Sequence, residues 1–371
     1  MWKGKKFCDI QGNRRMKKQT LKRIAALGLA GVLSASMLTG CGSLKEDEIV
    51  VTIGEDQITA GMANFYARMQ QAQYETYYAG MMGTTGEDMW EQTVDEKGTT
   101  FEKSVKDGLL TTLENMYLIE QHAEEYGVVV SDEEIAKIQD ATKKFEDDNA
   151  LEDKEAVSGK KQYVEEFLRM ATIQKKMEKA MKSGVNEEVS DEEAAQKSMK
   201  YVFLPFTKAD EEGKQVDLTD EEKVEIKEQM KTFVDNLNAS ETKNLEAAAA
   251  EAGYEVQSAT FDAETTSPDA NLVKAVDALA ADGEITGVIE SDYGVFVGQL
   301  TSFLDREATD QKKLNIIEER KQAQFDDLLE TWRKETKIEE NKKVWDQIDF
   351  QKLGVTVKES DEKYEDAPAG N

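Results

Sequence analysis

The sequence offers few of the residue types that carry catalysis. The whole chain of 371 residues contains one histidine, His122, so no histidine-based triad, dyad or multi-histidine zinc site can be assembled from it. We expect His122 to lie on a helix surface. Glycine-rich loops of the kinds that cradle phosphates are absent from the sequence. Carboxylates are so numerous that no pair stands out as general acid and base, and we predict no catalytic residue, no metal and no cofactor.

One of the two cysteines, Cys41, lies in a sequence context that indicates a covalent modification. Basic residues precede an apolar run at residues 24–38, which is shorter than the ~20 residues of a transmembrane helix. This arrangement predicts a secretory signal, which starts at Met1 or at Met16. The stretch "LTGC" that ends at Cys41 resembles the lipobox of bacterial lipoproteins. The alternative is an ordinary secretion signal with an incidental thiol.

The lipobox resemblance implies that residues 1–40 are removed and that Cys41 carries a diacylglycerol with fatty acyl chains such as palmitate. Two buried chains are enough for stable anchoring. We therefore expect an extracytoplasmic protein that is lipid-anchored to the cell membrane, with residues 41–48 as a tether. Because Cys8 lies in the removed segment, the mature chain would hold no disulfide.

The charge of the chain excludes one class of partner. Residues 1–40 hold nine of the 47 basic residues and one of the 76 acidic residues, so residues 41–371 carry a net charge of −37. Nucleic-acid binding relies on Lys and Arg to neutralise phosphates, and we expect none here. A dense negative charge keeps a protein soluble and limits nonspecific association.

The sequence predicts that most of the secondary structure of the chain is helical. The chain has three prolines and is rich in good helix formers. A strand and a turn precede a helix capped by Thr59, and a second helix is predicted at 101–126. Capping boxes pair Ser131 with Glu134, and the same spacing recurs at Ser190 and Thr219. We predict a helical domain at residues 49–195.

The first helix carries an apolar stripe that has two interpretations. Its large residues are the candidates for client binding: Phe65, Tyr66, Met69, Tyr74 and Tyr77. They either pack in the core of the helical domain or form an adaptable surface for peptides, because Met and aromatic side chains suit promiscuous contacts. In the second interpretation they form a shallow cradle, which a later helix covers in part.

The pattern changes after this domain. β-branched and aromatic runs at 199–206 and 294–300 predict strands, and a helix is predicted between them at 219–237. We predict a small α+β domain at 196–305. One long charged helix at 306–343 follows, within a segment, 306–358, that returns to the helical domain. The polar tail at 359–371 is expected to be disordered.

This order of elements resembles the PrsA and SurA foldases, which are extracytoplasmic chaperones with a parvulin-type prolyl isomerase domain. "VVTIGEDQIT" opens the helical domain, and "YGVVVSDEEI" resembles a recurrent link between its helices. "GEITGVIESDYGVFVGQL" is similar to the end of a parvulin domain. The resemblance implies an α+β, predominantly helical fold. Its helical chaperone domain would be built from N-terminal and C-terminal segments, with the parvulin-like domain inserted between them.

The chain departs from the parvulin pattern at the site itself. Tyr201 and Phe296 stand where the family has its two histidines, in the stretches "MKYVF", which ends at Phe203, and "GVFVGQL". The glycine-rich segment of the family is missing. The resemblance therefore implies a degenerate site at Tyr201, Phe203 and Phe296.

Three functions remain open. The first is a lipid-anchored chaperone that binds unfolded or partly folded exported proteins without efficient catalysis. The second is an enzyme, a prolyl isomerase that works without histidine, since rotation about the X–Pro bond needs no proton transfer but only relief of a barrier of ~20 kcal/mol. The third is a surface lipoprotein that acts as a binding module. The sequence leaves open whether the protein is a dimer.

Overall fold

The computed structural model describes residues 32–37, 44–81 and 83–358, which form mostly helices with small antiparallel sheets. The strands are β1 (Val32–Met37), β2 (Ile49–Ile53), β3 (Asp56–Thr59), β4 (Lys197–Pro205), β5 (Thr207–Ala209), β6 (Gln215–Asp217), β7 (Val256–Phe261), β8 (Ile289–Glu290), β9 (Gly294–Ser302), β10 (Ile338–Glu340) and β11 (Leu353–Lys358). The helices are α1 (Ala60–Gln73), α2 (Ala79–Met81), α3 (Gly86–Glu91), α4 (Phe101–Gln121), α5 (Asp132–Asp148), α6 (Leu151–Ala156), α7 (Lys161–Met181), α8 (Asp191–Ala194), α9 (Asp220–Ala239), α10 (Leu245–Ala252), α11 (Ala270–Asp277), α12 (Arg306–Glu335) and α13 (Lys342–Trp345). A π-helical turn, Tyr74–Tyr78, joins α1 to α2.

The chain forms two compact units. The first combines the residues up to Ser183 with those from Ala323 onward, and the second runs continuously from Gly184 to Gln322. The predicted class is confirmed: the fold is α+β and predominantly helical, with an α+β unit inserted between two segments of a helical one. The predicted inserted domain, 196–305, lies inside the limits of the second unit.

Local sequence signals set the helix starts of the first unit. The Thr59 hydroxyl accepts a hydrogen bond from the N–H of Met62 at 3.3 Å, which caps α1 as predicted. Ser131 and Glu134 form the predicted capping box at the start of α5. Gly54 has φ of +59° in the turn between β2 and β3, a conformation that favours glycine.

Two small sheets close the first unit. In one, the order is β10-β2-β3, so that a C-terminal strand pairs with an N-terminal hairpin. In the other, β1 pairs antiparallel with β11, from Val32 opposite Lys358 to Met37 opposite Leu353. The Leu33 side chain is fully buried in the main apolar core of this unit. Strand β1 therefore lies inside the segment that the sequence predicts to be a signal.

The second unit is a four-stranded antiparallel sheet with the order β7-β4-β9-β8. Alternate residues of a strand point to opposite faces. Val202, Val295 and Val297 contact helices α9 and α10 on one face, within one apolar cluster. The second face is apolar as well, and α11 packs on it.

The long charged helix is shorter than predicted. Helix α12 ends at Glu335, and residues up to 343 were expected to continue it. Instead Ile338 begins strand β10 and lies opposite Ile53 of β2. The free sheet edge of β2 binds this segment, and its backbone pairing outweighs the helical propensity of a Lys- and Glu-rich stretch.

Candidate functional site

The three residues of the predicted degenerate site come together on one face of the second unit. Phe203 of β4 lies directly opposite Phe296 of β9, and Tyr201 is two residues before Phe203 on the same face. The rings of Phe203 and Phe296 are stacked, with centroids 4.4 Å apart. The ring of Tyr201 lies 6.1 Å from that of Phe296. The face therefore presents a cluster of three aromatic side chains. Acid–base catalysis would need a pair of proton-transferring groups, and these three side chains do not supply one.

The cluster is largely filled by its own side chains. Tyr201 and Phe296 are buried, and only Phe203 is half-buried. The Tyr201 hydroxyl donates a hydrogen bond to Oε1 of Gln257 at 2.7 Å. Burial raises the pKa of Tyr201, so its phenol stays protonated at neutral pH and acts as a donor.

Helix α11 seals the rest of this face. Leu272, Val273 and Val276 are buried against the sheet. A β-carbon on Gly298 would lie 2.5 Å from Cγ2 of Val276, so glycine is required for this close approach. The only part of the aromatic cluster that a ligand can contact without rearrangement is the half-exposed ring of Phe203.

Two of the five client-binding candidates are core residues, so the prediction of a cradle that includes them is wrong. Phe65 is fully buried, and its ring makes edge contacts with Phe145 at 5.7 Å and with Phe167 at 5.9 Å. Tyr66 is buried beside it. An apolar helix face that packs on two neighbouring helices has the same spacing as an exposed one, which is why the pattern alone could not separate them.

The remaining three candidates lie nearer the surface. Met69 and Tyr74 are partly buried against the core, and the Tyr74 ring contacts Trp90 at 5.7 Å. Tyr77 is 54% exposed, and Met81, four residues later, is 82% exposed. We call Tyr77 and Met81 the exposed patch. The C-terminal helix does not contact this region through its tryptophan, because the ring of Trp332 stacks on that of His122, just after α4, with centroids 4.1 Å apart.

Sequence reasoning missed a polar network beneath this surface. Glu75 accepts hydrogen bonds from Nε1 of Trp90 at 2.8 Å and from Nε2 of Gln71 at 2.6 Å through Oε1. Its Oε2 accepts the N–H of Val355 at 2.8 Å. Burial raises the pKa of Glu75, although these hydrogen bonds oppose the shift. The network fastens the π-helical turn to strand β11.

The signal for this network was present in the sequence. Asn64, Arg68, Gln71 and Glu75 follow one another at spacings of four, three and four residues. Such spacing places them on one side of a helix. In the structure Arg68 donates to Oδ1 of Asn64 and to Oε1 of Gln71. A polar stripe on an otherwise apolar helix indicates a buried hydrogen-bonded seam.

A comparison with protein families gives these units a context. Residues 13–177 match the family model described as the SurA-like N-terminal domain. This part of the chain is similar to SurA-like N-terminal domains. The match confirms the predicted relationship to the SurA-type foldases for these residues. It covers the exposed patch and the polar network apart from Val355 of β11, and it ends before the second unit.

The chain also resembles several solved structures, although only distantly. A SurA-like chaperone of Campylobacter jejuni has 13% identity and a TM-score of 0.27, over 79% of this chain and 99% of the other. The foldase protein PrsA of Lactococcus lactis has 13% identity and a TM-score of 0.34, over 81% and 97%. PrsA of Streptococcus pneumoniae has 18% identity and a TM-score of 0.28, over 70% and 98%. No curated protein matches the chain.

Some of the predictions concern residues that the structure does not describe. Cys41 lies outside the described residues, as does the tail from 359 onward. Among the residues that the structure describes, no helix is long and apolar enough to cross a membrane. Within the same ranges, no group of three or more His, Cys, Asp or Glu side chains is placed to hold a metal ion.

Proposed function

We propose that this protein is an extracytoplasmic chaperone, anchored to the membrane through a lipid on Cys41, which holds unfolded exported chains without efficient prolyl isomerase catalysis. The observation that carries the proposal is the SurA-like N-terminal domain at residues 13–177. The "LTGC" stretch supports the anchor. The net charge of −37 after residue 40 favours basic clients and keeps a loaded complex soluble.

The aromatic cluster supports weak catalysis at most. Isomerisation of an X–Pro bond requires relief of a barrier of ~20 kcal/mol, which a site can supply by binding the twisted state. Such binding needs apolar walls that a proline ring can reach. Tyr201 and Phe296 are buried under α11, and Phe203 alone offers part of its ring. The site is therefore closed by the side chains that replace the two histidines.

The exposed patch supports a holding function. Tyr77 and Met81 are large apolar side chains at the surface of the SurA-like domain, and the Tyr74 ring supports the turn beneath them. Apolar contact contributes about 25 cal/mol per Å², and a few such side chains hold an unfolded segment weakly and reversibly. Met adapts to clients of different shape.

Aggregation of reduced, denatured lysozyme, a basic secreted protein, tests the holding function. The wild-type protein should suppress light scattering, and the double variant Tyr77→Ser/Met81→Ser should suppress it less at an unchanged melting temperature. Tyr293→Ser is the matched control, because Tyr293 is 75% exposed in the second unit. A double variant that suppresses aggregation as well as the wild type would contradict the role of the patch.

A second assay separates the three functions. In a protease-coupled assay on a short X–Pro peptide, we expect a rate near the uncatalysed one. A rate comparable to that of an active parvulin would favour the histidine-free isomerase. A protein that neither isomerises the peptide nor suppresses aggregation would be a surface binding module instead.

A further inference from the structure

One edge of strand β11 is filled by a segment that processing would remove. Strand β1 is Val32–Met37, and it lies wholly within the predicted signal, residues 1–40. We propose that in the processed protein this edge of β11 binds an extended apolar segment of an unfolded exported client, which adds as a strand in the place of β1. The inference rests on the proposed removal of residues 1–40. It deepens the proposed function, because it assigns a binding site and the chemistry of its ligand.

The inner edge of β11 is occupied by the unit itself. The N–H of Val355 donates to Oε2 of Glu75 at 2.8 Å, and the N–H of Val357 donates to Oγ1 of Thr76 at 2.9 Å. The carbonyl oxygen of Leu353 accepts a hydrogen bond from Nε2 of Gln71 at 2.6 Å. These bonds hold β11 in place without any contribution from β1.

The outer edge of β11 faces β1. Successive residues of a strand direct their backbone groups to opposite edges, so the groups of Gly354 and Thr356 point away from the inner edge. Gly354 lies opposite Ser36 and Thr356 lies opposite Ser34. When β1 is absent, these N–H and C=O groups form an open strand edge, which is a template for pairing with another chain.

A second observation shows that the site is built to take a strand. The N–H of Leu33 donates to Oδ1 of Asn149 at 2.7 Å, and Asn149 is 5% exposed. Nδ2 of Asn149 donates to the carbonyl oxygen of Phe145 at 2.9 Å, which fixes the orientation of the amide. A buried acceptor is therefore aimed at the backbone of the residue that occupies this position. Removal of β1 leaves that acceptor without its partner.

The ligand chemistry follows from the occupant in the structure. The Leu33 side chain is fully buried in the apolar core, so its loss opens a pocket of leucine size beside β11. The neighbouring residues of β1 are small and uncharged: Ser34, Ala35 and Ser36. We expect the site to take an extended, uncharged segment with one leucine-sized side chain followed by small residues. In strand addition, backbone hydrogen bonds give affinity and the side-chain pocket gives selectivity.

A labelled hexapeptide, acetyl-Val-Leu-Ser-Ala-Ser-Met, tests the site by fluorescence anisotropy. The processed protein, starting at residue 41, should bind it. The full chain with β1 in place should bind it at least about tenfold more weakly, because the tethered strand competes at high effective concentration. Replacing the leucine of the peptide by serine should weaken binding by about tenfold or more. Equal binding of both peptides, or equal binding by both forms of the protein, would overturn the proposal.

Substitutions at Thr356 of β11 test whether the backbone of the protein pairs with the peptide. Thr356→Pro removes the N–H on the outer edge of β11, whereas Thr356→Val keeps it, and the Thr356 side chain is exposed. In the processed protein the Pro variant should lose most of the peptide affinity and the Val variant should keep it, at similar melting temperatures. If a Pro variant with an unchanged melting temperature keeps full affinity, strand addition is excluded.

A variant of the full chain tests the strand site without any dependence on processing. Leu33→Asp places a charge in the apolar pocket and should displace β1, so this variant should bind the hexapeptide more tightly than the unmodified full chain. Peptide binding by the processed protein without suppression of aggregation would support the strand site and reject the holding function. If the exported protein retains residues 1–40 by intact mass, β1 stays in place and the strand site is rejected as a client site.

Discussion

Glu75 is the residue whose replacement tests the architecture of the first unit most directly. Its carboxylate is the acceptor for Nε1 of Trp90 and for the N–H of Val355, and both residues are fully buried. Glu75→Ala leaves these two buried donors without an acceptor, and each unpaired donor lowers the free energy of unfolding by about 1–3 kcal/mol. The free energy of unfolding of the variant should therefore be about 2–6 kcal/mol lower than that of the wild type. This is a large part of the 5–15 kcal/mol that is typical of a folded domain.

A matched variant separates the loss of volume from the loss of acceptors. Glu75→Gln keeps the shape and one acceptor oxygen, so that one of the two donors stays paired and the cost falls to about 1–3 kcal/mol. Urea unfolding followed by tryptophan fluorescence measures both variants. All four tryptophans lie outside residues 184–322, so the signal reports on the first unit.

The pKa of Glu75 adds a pH dependence with a definite sign. Burial raises this pKa above the ordinary glutamate value of about 4.3, so the folded state binds the proton more tightly than the unfolded state does. The contribution of Glu75 to stability is therefore present at low pH and falls as the pH rises through the folded-state pKa. The advantage of the wild type over Glu75→Gln should therefore shrink as the pH is raised above the ordinary glutamate value of about 4.3. A cost of Glu75→Ala below about 1 kcal/mol, or an advantage that grows with pH, would refute this reasoning.

Two other predictions concern the anchor and the C-terminal helix. Cys41→Ala should release the protein from membranes, and a variant that still fractionates with membranes after a high-salt wash would exclude the lipid anchor. Trp332→Ala should destabilise the first unit by about 3–5 kcal/mol in urea unfolding, because the buried indole stacks on His122 at 4.1 Å. Glu330→Ala, an exposed neighbour, is its control, and equal stability of the two variants would show that α12 is not packed through Trp332.

The parts of the fold that the sequence predicted are those with local signals. The capping box at Ser131 and the cap at Thr59 form from residues three positions apart, and such contacts need no knowledge of the rest of the chain. The sequence also assigned Tyr201, Phe203 and Phe296 to one site, and the structure brings their side chains together on one face of the sheet. The pairing of Phe203 with Phe296 across the two strands was not predicted.

The parts that it did not predict depend on partners far along the chain. The sequence predicted that helix α12 continues to residue 343, because the strand that begins at Ile338 depends on pairing with the distant strand β2. The sequence left Phe65 and Tyr66 open between core and surface, because their burial depends on contacts with helices far along the chain, such as α5 and α7. Strand β1 has the composition of a signal, and nothing near it in sequence indicates β11.

The division of the first unit between the two ends of the chain has a consequence for its synthesis. Arg68 donates to the carbonyl oxygen of Leu353, a contact between residues 285 positions apart. Closing so long a loop is entropically costly, and folds dominated by such contacts form slowly. The second unit is continuous, so it can fold as soon as it emerges, whereas the first must wait for the final segment. During synthesis the first unit is thus an incompletely folded segment with exposed apolar helices, and truncation within the last strands should leave the second unit folded and the first unit prone to aggregation.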